Sequence, residues 1–213
     1  MEPEPERERL AEAIRAVIDH VVDTKAPPEV LAEAAREVER LAELLGPHPR
    51  RGPKSPNLPD LSELQRTFWR DPIVGKSNPV APPVEIEIAD HVVTGRTQLG
   101  FAYEGPPGYA HGAVIAGIFD QILGLANLAS GNVGMTGTLT IKYRRPTPLH
   151  TELVFRSTTE RVSGRKIYVK GTLHAEDELT AEAEGLFVNL LRPRAAEYFE
   201  DRASEKKLSR EGS

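Results

Sequence analysis

From Ala113 to Ala129 nearly every residue is apolar or small, and Asp120, Gln121 and Asn127 are the only clearly polar members. A helix with no complete polar face should be buried on most of its sides. Such a helix needs a wrapper, and the sequence after it supplies one. Met135 to Tyr143, Glu152 to Arg161, Lys166 to His174 and Thr180 to Leu190 alternate or run rich in Val, Ile, Thr, Tyr and Phe, as strands do. Upstream, Val84-Glu85-Ile86-Glu87-Ile88 alternates, and Val92 to Leu99 continues a strand-like pattern after Asp90, so these two segments open the sheet.

One carboxylate, Asp120, stands inside the apolar helix. An ionisable group there is costly without a partner or a purpose. A small solvent-facing notch would tolerate it, but a functional role is the better reading. Its neighbours Ile118, Phe119 and Leu123 are expected to bury it. Ahead of the helix, Gly105-Pro106-Pro107-Gly108-Tyr109-Ala110-His111-Gly112 forms a stiff turn into the helix start.

The order G-P-P-G-Y-A-H-G-A (105–113), then Asp120, then G-M-T-G-T-L-T-I-K-Y-R-R-P-T-P-L (134–149), then S-G-R-K (163–166) resembles the hotdog-fold acyl-CoA thioesterases of the phenylacetate-pathway and mitochondrial thioesterase-superfamily type. The resemblance spans residues 84–192. The family usually reads His-Gly-Gly where this chain has His111-Gly112-Ala113, and its oxyanion donor falls on the glycine kept as Gly112. The resemblance implies an α+β hotdog fold, a long central helix wrapped by an antiparallel sheet. It implies hydrolysis of acyl-CoA to free acid and CoA with no separate cofactor, since CoA is part of the substrate. It also associates His111 with the thioester site and places an auxiliary hydroxyl on Thr136. Whether Asp120 activates water or attacks the carbonyl itself is left open.

Spacing constrains the assembly independently. Gly112 and Asp120 are eight positions apart, which on one helix is about 12 Å. An oxyanion donor must lie within about 3 Å of the developing charge, so one thioester cannot meet both groups of one chain. Two such helices packed antiparallel across a two-fold axis would bring the start of one near the middle of the other. A homodimer with paired interfacial sites is therefore expected, and a dimer of dimers stays open.

His111 either contacts substrate or fixes the loop so that the Gly112 N–H points outward. Thr138 and Thr140 alternate with Thr136 along one strand and compete with it, so only a pairing with Asp120 across the interface would single Thr136 out. Tyr103 and Tyr109 either line the pocket or simply pack. Two basic clusters, around Lys142, Arg144 and Arg145 and in Ser163-Gly164-Arg165-Lys166, could hold the CoA phosphates; Arg144, Arg165 and Lys166 are the candidates.

The remainder bounds the reading. The chain has 213 residues, a formal charge of -5 and no cysteine, which excludes disulfides and thiolate metal sites. No His-x-x-x-His spacing suggests a metal, and no basic, aromatic-interleaved stripe suggests nucleic acid. No segment is expected to span a membrane, the charged start lacks a signal core, and cytoplasmic residence is the default. Residues 1–46 read as a helical hairpin with one apolar stripe per helix, a cap or an oligomer contact. Residues 47–83 read as a Pro-rich linker in which Leu61 to Asp71 forms a short docking helix anchored by Trp69. Residues 193–213 read as a charged tail, frayed or disordered. A non-catalytic acyl-CoA-binding hotdog protein is the alternative. A hydratase is disfavoured because the next histidine after Asp120 is His150, and G-x-S-x-G, G-x-x-x-x-G-K and G-x-G-x-x-G are all missing.

Overall fold

A computed structural model describes residues 5–48 and 68–189. The expected tail, and most of the expected helix from Leu61, lie outside the described residues. The elements in chain order are α1 (Pro5–Asp23), α2 (Pro28–Leu45), β1 (Glu85–Ala89), β2 (Val92–Gln98), a 3-10 turn (Phe101–Tyr103), α3 (Gly112–Ala129), β3 (Gly134–Tyr143), β4 (Glu152–Ser163), β5 (Lys166–Ala175) and β6 (Glu178–Asn189).

The six strands form one sheet in the order β1-β2-β4-β5-β6-β3, and every neighbouring pair is antiparallel. Alternation dictates which face is apolar: Leu153 and Phe155 on β4, Ile167, Val169 and Leu173 on β5, and Ala181, Ala183 and Phe187 on β6 all turn inward and are buried. α3 lies against that face, burying Ile115, Ile118, Phe119, Ile122, Leu123, Leu125 and Ala126. Phe119 meets Phe155 edge to face at 5.1 Å between ring centroids. Each such side chain contributes roughly 1.5–3 kcal/mol on burial. Close approach needs glycine beneath the helix. A Cβ on Gly171 would sit 3.2 Å from both Phe119 and Leu123, and one on Gly95 would sit 2.4 Å from Ile122 Cδ1.

Contrary to the sequence expectation, α3 is long and apolar enough to cross a bilayer by length and composition. Its packing against the sheet accounts for that apolarity. The burial is one-sided, however: Ala113 and Asp120 are exposed and Gly117, Gln121 and Gly124 only half-buried. This bare strip runs beside β3, which among the described residues is an edge strand paired only with β6.

Both N-terminal helices form, with Pro28 opening α2 where a missing N–H costs nothing. They differ in seating. α1 buries Ala11 and docks on the domain, whereas α2 buries no residue and leaves Val30, Leu31, Val38 and Leu45 exposed. The expectation of an extended linker fails over residues 71–83. Asp71 Oδ1 accepts from the Ile73 and Val74 amides, Asn78 Nδ2 donates to the Arg70 and Asp71 carbonyls, and Ala81 is fully buried. Asx side chains close turns that prolines alone would leave extended. Trp69 is an anchor, half-buried with the Arg7 and Arg70 guanidinium groups 5.4 and 5.0 Å from its ring centre.

Candidate active site

The start of α3 is built to expose one donor. His111 is its N-cap, and the His111 Nδ1 accepts from the Ala113 N–H at 3.0 Å, which places the ring proton on Nε2. The Val114 and Ile115 amides donate to the His111 carbonyl. Among the described residues the Gly112 N–H has no acceptor. It lies at the positive end of an 18-residue helix, where partial charges from the peptide dipoles favour an anion. Of the two roles open to His111, the loop-fixing one is therefore visible. The loop before it is braced by a Glu104–Ala110 bridge and by Gly108, whose φ of 81° suits glycine and whose N–H donates to Glu104 Oε1 at 2.6 Å.

Tyr143 closes the other side of this turn, its hydroxyl donating to the Gly112 carbonyl at 2.7 Å. Burial pushes its phenol above the usual 10.0. The sequence reading missed Tyr143, and the reason is a bulge. In β3, Thr136 opposes Phe187 and Thr138 opposes Leu186, so Gly137 is an extra residue. Without it, Thr136 and Tyr143, an odd number of positions apart, would point to opposite faces. With it, Thr136, Leu139, Ile141 and Tyr143 all face α3, and Thr138 and Thr140 turn away. The expected competition among three threonines on one face is thus removed.

Thr136 Oγ1 donates to Asp120 Oδ1 at 2.8 Å. Two expectations are corrected here. The pairing lies within one subunit rather than across an interface, because the bulge aims Thr136 at its own helix. Asp120 is exposed in the subunit rather than buried, because Ile118, Phe119 and Leu123 occupy the sheet-facing side of α3.

The basic clusters fall at opposite ends of β3. Arg144 follows Tyr143 and donates through Nε and Nη2 to Glu182, each at 2.6 Å, so its charge is already paired. Arg165 and Lys166 stand at the β4–β5 turn, where Gly164 takes a φ of 60°. Lys166 opposes Val188, which also opposes Met135, so this turn lies at the Thr136 end. Tyr109 is exposed on the loop, with its backbone bridged to Pro148. Tyr103 is half-buried, its hydroxyl donating to the Ala81 carbonyl at 3.3 Å. Its phenol is raised by burial, against a lowering by Arg15 and with a further rise from Asp19. Among the described residues no group of His, Asp and Glu could hold a metal ion.

A long helix laid on one face of a six-stranded antiparallel sheet, with an uncommitted amide at its start and a carboxylate near its middle, has the architecture of a hotdog domain. The family model described as "Thioesterase superfamily" matches residues 107–182. A solved crystal structure of a thioesterase superfamily protein is 33% identical, covering 89% of this chain and 94% of its own, with a TM-score of 0.77. The chain belongs to the thioesterase superfamily. Acyl-coenzyme A thioesterase THEM4 of Mus musculus is 39% identical over 95 residues, 44% of this chain and 41% of that protein. Acyl-coenzyme A thioesterase THEM5 of Homo sapiens is 28% identical over 95 residues, 44% of this chain and 38% of that protein. The chain thus spans about two fifths of the length of these curated relatives.

Proposed function

We propose that the chain hydrolyses acyl-CoA thioesters as a homodimer, each site combining the Gly112 amide of one subunit with Asp120 of the other. The observation that carries this reading is that β3 marks the place of both groups, Tyr143 holding residue 112 and Thr136 holding Asp120. A long unpaired edge strand is a template for another strand. Two copies of β3 paired antiparallel about Thr140 set Leu139 opposite Ile141 and Thr138 opposite Lys142, each pair sharing a face as the pleat requires. Past the bulge, Thr136 meets the partner subunit's Tyr143. Asp120 is thereby carried toward the partner subunit's Gly112, and the bare strip of α3, with Gly117 and Gly124 on it, is covered.

In such a site the thioester oxygen accepts from the Gly112 N–H, which stabilises the charge that develops as the carbonyl carbon becomes tetrahedral. The partner subunit's Asp120, oriented by its own Thr136, takes a proton from water or attacks the carbon directly. Collapse of the tetrahedral state expels the CoA thiolate; where water was the nucleophile this leaves the acid, and where Asp120 attacked it leaves a mixed anhydride that a water molecule then cleaves to the acid and free Asp120. Arg165 and Lys166 stand at the Thr136 end, where they would meet the CoA phosphates, whereas Arg144 is engaged by Glu182. The names of the curated relatives supply the substrate class.

The test is thiol release from a panel of short, long and aromatic acyl-CoAs, with Asp120→Asn alongside. The wild type is expected to turn over at least one of them, and Asp120→Asn to remain a folded dimer with most hydrolysis lost. Turnover retained by that variant, or stabilisation by CoA with no thiol released by the wild type, overturns the proposal.

A further inference from the structure

We propose that Asp19 of α1 is a positioning residue for the oxyanion donor, so that the N-terminal helix is part of the catalytic apparatus rather than an appendage. The inference rests on the reading of Gly112 as that donor. Three hydrogen bonds joined by short stretches of backbone link the two. Asp19 Oδ1 accepts from the Ala102 N–H at 3.1 Å, in the 3-10 turn Phe101–Tyr103. The carbonyl of Tyr103, the next residue, accepts from the His111 N–H at 2.9 Å. His111 in turn uses Nδ1 to claim the Ala113 N–H, which leaves the Gly112 N–H as the uncommitted donor of the first turn.

Three further observations fix α1 to this place. Arg15, one helical turn before Asp19, donates to the Asn78 carbonyl at 3.1 Å and reaches the Lys76 carbonyl at 3.4 Å. Tyr103 is tied by its hydroxyl to the Ala81 carbonyl, so the turn that Asp19 holds is gripped from a second side. The carboxylate packs directly on Gly100, where a Cβ would lie 2.4 Å from Asp19 Oδ1. A carboxylate spent only on helix docking would be served by any exposed cation. This one is instead inserted against the backbone of the loop that leads to the catalytic helix. Oxyanion stabilisation depends steeply on donor placement, so loosening the turn acts on the rate rather than on substrate affinity.

The experiment compares Asp19→Ala and Asp19→Asn in the full-length chain, using the best acyl-CoA of the panel and backbone amide exchange by NMR. Asp19→Ala is expected to lower kcat about tenfold with KM within about twofold, and to speed exchange at Ala102 and His111 about tenfold. Asp19→Asn keeps an oxygen acceptor and is expected to restore both readouts. Unchanged exchange in Asp19→Ala overturns the inference, as does an Asn variant as impaired as Ala, or a loss confined to KM. Faster exchange at His111 without any wild-type turnover would confirm this linkage while sinking the assignment of Gly112 as an oxyanion donor, so the two failures are separable.

Discussion

Replacing Thr136 by Val isolates one hydrogen bond at the acid. The substitution keeps the β-branched shape that the strand favours and removes only the hydroxyl that donates to Asp120 at 2.8 Å. A hydrogen bond to a charged group contributes about 1.5–3 kcal/mol, and because both residues are exposed in the single chain solvent screening discounts it to about 1–2 kcal/mol. If the bond orients the carboxylate for the transition state, its loss lowers kcat about 5- to 30-fold. Stability should hardly move, since an exposed site contributes within about 0.5 kcal/mol, or roughly 2 °C in Tm for a chain of this size. Thr136→Ser, which retains the donor, should stay within about twofold of wild type. Steady-state thiol release gives kcat and KM, and a thermal melt controls for folding. A Val variant with wild-type kcat, or a Ser variant as slow as Val, refutes the reasoning.

Three other outcomes are expected. Thr140→Asp sets like charges opposite each other at the centre of the β3 pairing, giving monomers by light scattering and no turnover; Thr140→Lys does the same, and mixing the two variants restores a dimer, whereas a stable Thr140→Asp homodimer would exclude this register. Gly75→Ala places a Cβ 2.4 Å from the Asp71 carbonyl oxygen, and the strain should cost about 1–3 kcal/mol, read as a Tm several degrees lower. Arg165→Glu should raise KM for acyl-CoA and leave a short acyl thioester without the nucleotide unaffected; equal loss on both substrates would remove Arg165 from the phosphate site.

The fold was legible because its signals are local. Apolar content without a polar face marked α3, and period-two runs marked all six strands to within a few residues. The motif order singled out Gly112, Asp120 and Thr136, and the structure sets Gly112 at the start of α3 and joins Thr136 to Asp120. What stayed hidden depends on contacts distant in sequence. Gly137 looks like one weak position in a β-branched run, and only its pairing against β6 reveals the bulge that turns Thr136 and Tyr143 the same way. Arg144 reads as an available cation until β6 brings Glu182 beside it, 38 residues on. Residues 71–83 read as linker because proline content is visible and the Asp71 and Asn78 side-chain turns that seat them are not.

The strand order has a consequence for how this polypeptide is made. β3 is third in the sequence, yet among the described residues its sole neighbour, β6, is the last strand and begins at Glu178. On a ribosome α3 would therefore emerge, greasy and with only β1 and β2 already made, well before β4, β5 and β6 that cover most of its apolar face. Nascent chains that stall or are cut short of Glu178 would display both an orphaned ribbon and an apolar rod, and holding factors or rapid degradation would be needed to keep such fragments from clumping.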